Sequence, residues 1–478
     1  MATDRLRAPS APGQPGLSAM PGVPALERGL AAQQAGRIDE AVRAYRRAVH
    51  QNSGLAPAHY NLGQLLREQG DCAGAARCFE GAARLRPNAA DAWLNLGAML
   101  EKIERFQDAV TAYRRAAECV PNDPAPTYNL GNTLLALGDF EGAAAAFRTV
   151  IEQQADHTDA HWNLATALLA VGDFAGGWRQ YEWRWAKRGL DPAARFSWPL
   201  WKGEAVAAKR VLVWREQGLG DEILFATCVR ELVALGAVVT VAASSRLVSL
   251  FARAFPGVEV VADGEWGDGP FDYHCPLGGL PKQLRRARTD FVGTGKFLVP
   301  DSQHATRWAT RLDRLGPGLK VGICWRSGLV TETRARGYSP LEAWEPLFAL
   351  PGIHWVNLQY DECESELAAV SARFGVRVHR WKSEDLKNDL ESVVGLLWNL
   401  DAVVTAPTAV SSLAGGAGIP TWEVDNGGDW TTHGEERSPW FTSIQVVRRA
   451  FGTTNWGPVL HRIAAELGES LVAAEVAG

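Results

Sequence analysis

The chain has 478 residues, 46% hydrophobic and 22% charged, a length that supports two to four domains and a composition that excludes wholesale disorder. Its 49 Lys and Arg against 54 Asp and Glu leave a net charge of −5 with histidine neutral, without the basic excess of a generic nucleic-acid binder. No apolar run approaches the about 18–20 residues of a membrane span, and the seven cysteines are odd in number, scattered and without metal or CxxC spacing, as expected of reduced thiols in a cytoplasmic protein.

Residues 1–21 hold Pro9, Pro12, Pro15 and Pro21 but no apolar signal core, which reads as a disordered leader. From 22 to 190 the chain repeats itself. Tyr45, Phe79, Tyr113, Phe147 and Tyr181 stand 34 residues apart. Ala41, Ala75, Ala109 and Ala143 keep the same step, continued by Gly177; Gly36, Gly70, Gly138 and Gly172 mark a turn, with Glu104 as the exception. Each unit reads as helix, turn, helix, with a large ring set against a small residue of its neighbour, and Pro87 and Pro121 close two units. The pattern resembles the tetratricopeptide repeat in five copies, which implies a superhelix with a concave face for peptides or proteins.

Asn61, Asn95, Asn129 and Asn163 fall on the same step, each one residue before a leucine. An amide there either faces the groove, where it can donate to and accept from any peptide backbone, or satisfies groups between helices. The column resembles the asparagine ladder of the nucleocytoplasmic O-GlcNAc transferases, which implies acceptor binding by these four residues.

The end of the repeats and the junction at 191–208 account for many of the 19 tryptophans. Trp178, Tyr181 and Trp185 stand at i, i+3 and i+7, one face of a predicted helix, and Trp183, Trp198 and Trp201 follow. They are expected to bind the last repeat to the next domain, with an aromatic sugar platform as the alternative.

Beyond Glu204 the 34-residue step vanishes and apolar β runs alternate with helical stretches. Strands are predicted at 210–214, 238–243 and 258–261, with a helix from 222 to about 235 after the first. A second series follows at 319–325, 353–358, 376–378, 402–405 and, last, 421–424. The expected fold is a helical solenoid followed by two Rossmann-like doubly wound α/β domains, 209–310 and 311–478, that bind ligand at the carboxyl ends of their strands. The loop Gly218-Leu219-Gly220-Asp221 lacks the third glycine of a dinucleotide fingerprint, and no acidic residue ends the second strand, which argues against a nicotinamide cofactor. Gly293–Phe297 imitates a phosphate-binding loop without its Ser or Thr, and no Asp-x-Asp occurs to hold a metal on a nucleotide diphosphate.

Three strand ends carry chemistry. Gly220-Asp221 opens a helix; Trp325-Arg326-Ser327-Gly328 ends a strand; and Pro407-Thr408-Ala409-Val410-Ser411-Ser412 leads into a small-residue helix rich in glycine. The last is a ready anion site, because helix N-termini present unpaired N–H groups. These residues resemble the glycosyltransferase-B architecture and, more narrowly, the heptosyltransferase-like enzymes, over about 209–448. Joined to the repeats, the chain resembles the bacterial flagellin glycosyltransferases. The resemblance implies transfer of a sugar from a nucleotide sugar, with no resident cofactor or metal, to Ser or Thr hydroxyls of a protein acceptor, flagellin. It implies Asp221 as general base, and Gly218, Gly220, Arg326, Ser327, Gln359, Asp389, Thr408, Ala409, Ser411 and Ser412 on the donor, with Arg334 or Arg336 adding charge. A Ser stands where heptosyltransferase-like enzymes have His in this loop, which argues against ADP-heptose and leaves a CMP-linked nonulosonic acid. Each residue also has a plain structural role to weigh: Asp221 as a first-turn carboxylate, Arg326 in a surface pair or aromatic stack, Thr408, Ser411 and Ser412 as caps, Asp389 at a helix start, and His274 and His433 as satisfied structural histidines. A polysaccharide or lipopolysaccharide acceptor and an inactive repeat scaffold are the competing functions.

Overall fold

The computed structural model describes residues 20–267, 269–291, 295–328, 337–427 and 430–477. The chain divides between Leu164 and Ala165 into two compact units. Arg334, Arg336 and the Gly293 and Thr294 of the Gly293–Phe297 loop lie outside the described residues.

In the first unit, consecutive helices pair as Val23–Gln34 with Ile38–Gln51, Ala56–Glu68 with Cys72–Leu85, Ala90–Lys102 with Phe106–Cys119, and Pro124–Ala136 with Phe140–Gln153. The ring at the 34-residue step is fully buried in each pair: Tyr45, Phe79, Tyr113 and Phe147 are no more than 1% exposed. The small residue that admits it is a glycine of the preceding helix. A Cβ on Gly29, Gly63, Gly97 or Gly131 would stand 2.5–2.9 Å from the nearest ring atom, so the two helices can approach only where no side chain intervenes. This glycine column is itself periodic and escaped the sequence analysis.

The first four repeats alternate in how they begin their second helix, and the fifth keeps the Asp cap of the fourth, with Asp173 accepting from the Gly176 N–H at 2.9 Å. Asp71 and Asp139 accept from the N–H of Gly74 and Gly142 at 2.8 and 2.9 Å, and those glycines leave room for the carboxylate. In the first and third repeats Arg37 and Arg105 stand at that cap and pair instead with Glu40 and Asp108 three residues on. Three of the loops between repeats are fastened alike: His59, Trp93 and His161 each donate to the carbonyl six residues back, Ser53, Pro87 and Ala155, at 2.9–3.0 Å, whereas the Pro121 carbonyl accepts from Gln153 at 3.0 Å.

The second unit holds two parallel sheets. Strands β1 (Arg210–Trp214), β2 (Val238–Ala243), β3 (Glu259–Ala262) and β4 (Tyr273–Pro276) make one, in the order β3-β2-β1-β4. Strands β5 (Leu319–Cys324), β6 (Ile353–Asn357), β7 (Val378–His379), β8 (Ala402–Thr405), β9 (Thr421–Asp425) and β10 (Ile444–Arg448) make the other, in the order β10-β9-β8-β5-β6-β7. All residues of β8 and β9 are buried, as expected where helices cover both faces of a parallel sheet.

Four expectations need correction. β4 and β10 extend the sheets where no strand was predicted. The helix expected over 222–235 is two, Leu219–Ala226 and Val229–Ala234; at the break Thr227 turns its hydroxyl back onto the Leu224 carbonyl at 2.7 Å. The helix carrying Trp178 and Tyr181 ends at Tyr181, and Trp185 belongs to a separate short turn, Arg184–Lys187. Helix Ser302–Asp313 packs on the second sheet's layer, where Trp308 donates to Ser392 at 3.0 Å, so that layer starts earlier than residue 311.

Replacing Gly97 by Val should force the Tyr113 ring aside and lower stability by about 1–3 kcal/mol. A melting curve followed by circular dichroism tests this; an unchanged midpoint would mean that the ring and helix can yield.

Candidate functional site

Two helices of the second unit start at one place. Leu219–Ala226 follows β1, and Ala409–Ala417 follows β8. They meet at Gly220, whose added Cβ would lie 3.4 Å from both the Ala409 Cα and the Ser412 Oγ. That is ordinary van der Waals contact, so crowding does not demand glycine there. Beside the contact lies a cavity of about 600 Å³ at the carboxyl ends of β1, β5, β6, β8 and β9.

Most residues expected at the site meet there. Gly220, Asp221, Ser327, Thr408, Ala409, Ser411 and Ser412 all line the cavity. Gly218 is the N-cap of its helix, with the Asp221 carboxylate folded back so that a Cβ at Gly218 would lie 3.5 Å from it. Thr408 caps the second helix by accepting from the Val410 N–H at 3.3 Å. The glycines of that helix serve packing rather than ligand approach: a Cβ on Gly415 would meet Phe441 at 2.6 Å and one on Gly416 would meet Leu298 at 2.7 Å.

Three expected donor residues lie elsewhere. Arg326 does not line the cavity; its guanidinium is saturated by Asp361 and by Glu366, whose carboxylate it contacts at 3.0 and 2.5 Å, with the Glu362 carbonyl at 2.8 Å. These two carboxylates hold its pKa above the ordinary arginine value. Gln359 is buried and bonded to the Arg326 carbonyl and Asp361. Asp389 caps the helix Leu390–Leu397 by accepting from Ser392 N–H at 3.0 Å. What Arg326 does is fix the strand end: next to it Gly328 N–H donates to the Tyr360 hydroxyl at 3.1 Å, and Tyr360 reaches Ser327 at 3.4 Å.

Two carboxylates were missed. Glu423, in the middle of β9, lines the cavity and accepts from the Ser411 hydroxyl. Glu222, beside Asp221 but turned inward, pairs with Arg215 at 2.9 Å and accepts from Ser244 N–H at 2.6 Å; burial raises its pKa against those contacts. Among the described residues the lining carries Asp221 and Glu423 and neither Lys nor Arg, so the favourable potential for an anion comes from the two helix N-termini.

The asparagine column lies in the first unit and is half-buried. Asn95 donates to the Asp91 carbonyl at 2.7 Å and the Tyr60 hydroxyl at 3.4 Å, and accepts from Arg67 at 2.8 Å. Asn163 donates to Asn132 at 2.7 Å and Tyr128 at 3.3 Å, and Asn61 lies beside the Tyr45 hydroxyl. Bonds between helices therefore occupy much of their capacity. For Asn129 the described contact is at its carbonyl, which accepts from Thr133 at 2.9 Å.

His433 is not a satisfied histidine. Neither ring nitrogen has a partner among the described residues; the ring packs as a neutral aromatic, 4.9 Å from Phe291 and 5.0 Å from Phe174, on a left-handed backbone with φ 48°. His274 accepts from Trp214 Nε1 at 3.1 Å, leaving Nε2 without a described partner.

The comparisons with known proteins fall on both parts. The tetratricopeptide repeat family matches residues 26–71, 60–124 and 128–182, so the amino-terminal part is a tetratricopeptide-repeat solenoid, here joined to two parallel α/β sheets. The chain is 36% identical to Protein FlbA of Caulobacter vibrioides over 313 residues, 61% of this chain and 52% of that protein; it thus spans about half the length of that relative. Among solved structures it is similar to YrrB, a tetratricopeptide-repeat protein with an unusual peptide-binding site, at 26% identity and a TM-score of 0.29 over 31% of this chain and 76% of YrrB. It is also similar to MamA of Desulfovibrio magneticus RS-1, at 19% identity and a TM-score of 0.31 over 37% of this chain and 97% of that one. No described helix is long and apolar enough to cross a membrane.

Burial pushes the His433 pKa down to about 3 and the His274 pKa to about 4, with Arg288 and Arg195 adding in the same direction. The unfolded chain takes up these protons from about pH 6.5 downward, so stability should fall as pH drops from 6.5 toward 4. His433→Asn, which tolerates the left-handed backbone, should flatten that fall; melting midpoints across the range give the comparison.

Proposed function

We propose that the protein is a glycosyltransferase that moves a sugar from a nucleotide sugar to a Ser or Thr hydroxyl of a protein acceptor. The observation that carries this reading is the cavity at the carboxyl ends of two parallel sheets, with a carboxylate on one wall and a hydroxyl-rich helix start on the other. Asp221 takes the acceptor's hydroxyl proton as the new C–O bond forms at the anomeric carbon, a role worth typically about 10²–10⁴-fold. The bond to the donor phosphate breaks, and its charge is received at the start of helix Ala409–Ala417, with Thr408 and Ser412 beside the backbone N–H groups. Glu423, held by Ser411, accepts from hydroxyls of the sugar or nucleoside. With Arg326 committed to Asp361 and Glu366, the donor phosphate is left to the helix start, and the Ser that replaces the heptosyltransferase-type His in the Pro407–Ser412 loop supports a CMP-linked sugar as donor. The route without a metal rests on the lack of Asp-x-Asp in the sequence.

The repeats supply the acceptor groove, and flagellin is the acceptor that the resemblance to the flagellin enzymes implies. The matched repeats support a protein acceptor over a polysaccharide, which has no need of a peptide groove.

A thermal-shift series with CMP, UDP, GDP and ADP, with and without EDTA, tests the donor site, since a ligand of the native state raises the melting point by mass action. A shift with CMP that survives EDTA is expected; no shift with any of the four leaves a repeat scaffold. Asp221→Asn should cut transfer at least 100-fold with nucleotide affinity within a few-fold, and an unimpaired rate removes the base. Asn129→Ala should weaken acceptor binding more than Asn95→Ala, whose amide is already spent, as titration of an acceptor peptide would read.

A further inference from the structure

The last repeat helix, Phe174–Tyr181, lies in the second unit, and its aromatic face is buried there. Trp178 donates to the Arg285 carbonyl at 2.7 Å and meets Trp430 edge-on at 5.8 Å. Tyr181, 2% exposed, stands 5.4 Å from Trp430, which lines the cavity, and 6.2 Å from Phe225, on the helix of Asp221. Its hydroxyl accepts from Gln217 Nε2, four residues before Asp221. The Arg184 guanidinium lies 4.6 Å over the Tyr181 ring and pairs at 2.9 Å with Glu216, 2% exposed, while Arg188 donates to the Glu216 carbonyl at 2.8 Å. The segment Glu216–Gln217 is thus fastened to the end of the repeats through side chain and backbone, and the opposite wall of the cavity rests on the same ring.

We infer that Tyr181 is a positioning residue of the proposed transfer site: one side chain fixes both the loop that carries Asp221 and the Trp430 wall facing it. This rests on the reading of the cavity given above, yet the coupling itself is mechanical and can be measured without turnover. Burial raises the pKa of the Tyr181 phenol, with Arg184 and Gln217 lowering it and the charges of Asp221 and Glu216 adding to the rise. Removing Arg184 would strand Glu216 in the interior and endanger folding, so the hydroxyl of Tyr181 is the better point of attack.

The test is hydrogen exchange by mass spectrometry on the full-length protein carrying Tyr181→Phe, with Tyr45→Phe as control, since Tyr45 makes a comparable bond to Gln33 at 2.7 Å in the first repeat. In Tyr181→Phe the amides of 216–222 should exchange about tenfold faster, while those of β1 and β8 and the melting midpoint hold; Tyr45→Phe should leave 216–222 unchanged. In the transfer assay kcat should fall about tenfold with the donor KM within twofold. Unchanged exchange at 216–222, or a rise shared equally by β1 and β8, overturns the inference. A local rise in a protein that neither binds nucleotide nor transfers sugar supports the coupling and overturns the transferase reading alone.

Discussion

The face-to-face start of two helices, Leu219–Ala226 and Ala409–Ala417, is the constraint on which the site depends. Each follows a central strand of its own sheet, β1 or β8, so its first turn emerges at the strand's carboxyl end. Because Gly220 packs on Ala409 and Ser412, the positive ends of two helix dipoles converge on one volume. Asp221 and Glu423 both line that volume, one from the layer of each sheet. In the proposed transfer the bound anion and the hydroxyl that loses a proton have opposite electrostatic needs, which the proposal assigns to the helix starts and to Asp221.

The same constraint explains the surrounding aromatics. Beside the contact Trp178, Tyr181, Phe291, Trp430 and Trp440 pack together with ring centroids 5.1–6.3 Å apart. A fully buried ring removes about 150–250 Å² from water, worth on the order of 4–6 kcal/mol by area as an upper figure. His433 belongs to this packing, where its nitrogens make no described bond and its neutrality is enforced by burial.

What the sequence made legible was whatever is local or periodic. The ring column at 34-residue steps is local repetition, and strands such as Val238–Ala243 announce themselves as apolar runs. The Gly-Asp loop and the Pro407–Ser412 loop are contiguous, and they do meet. The failures came from partners far along the chain. Arg326 looked available because Asp361 and Glu366, 35 and 40 residues on, have no sequence mark that ties them to it. Glu423 was passed over as one acidic residue in an apolar strand, although an acid within a fully buried strand needs a polar reason to be there. The strand Tyr273–Pro276 is four residues long and ends in proline, which demotes it on propensity; pairing with β1 overrides that. The column Gly29, Gly63, Gly97 and Gly131 carried as clean a period as the rings it admits, and could have been found by asking what each ring packs against.

The asparagines make a sharper case, because the period was right and the inference from it incomplete. A side chain repeated every 34 residues is repeated for whatever recurs, and neighbouring helices recur as surely as a bound peptide does. Asn95 and Asn163, two repeats apart, reach Tyr60 and Tyr128 by the same bond, and Tyr45 and Tyr113, also two repeats apart, reach Gln33 and Glu101. Both sets return after 68 residues, with tyrosine changing places between first and second helices in alternate repeats. Over the first four repeats these side-chain bonds therefore recur every second repeat on a backbone that repeats singly, and whatever lies along them meets two kinds of station in turn. An acceptor that used every asparagine alike would have to break half of these bonds. One that used the stations in alternation would not, and that makes the two-repeat step, rather than the single repeat, the length over which a recognised peptide should be matched.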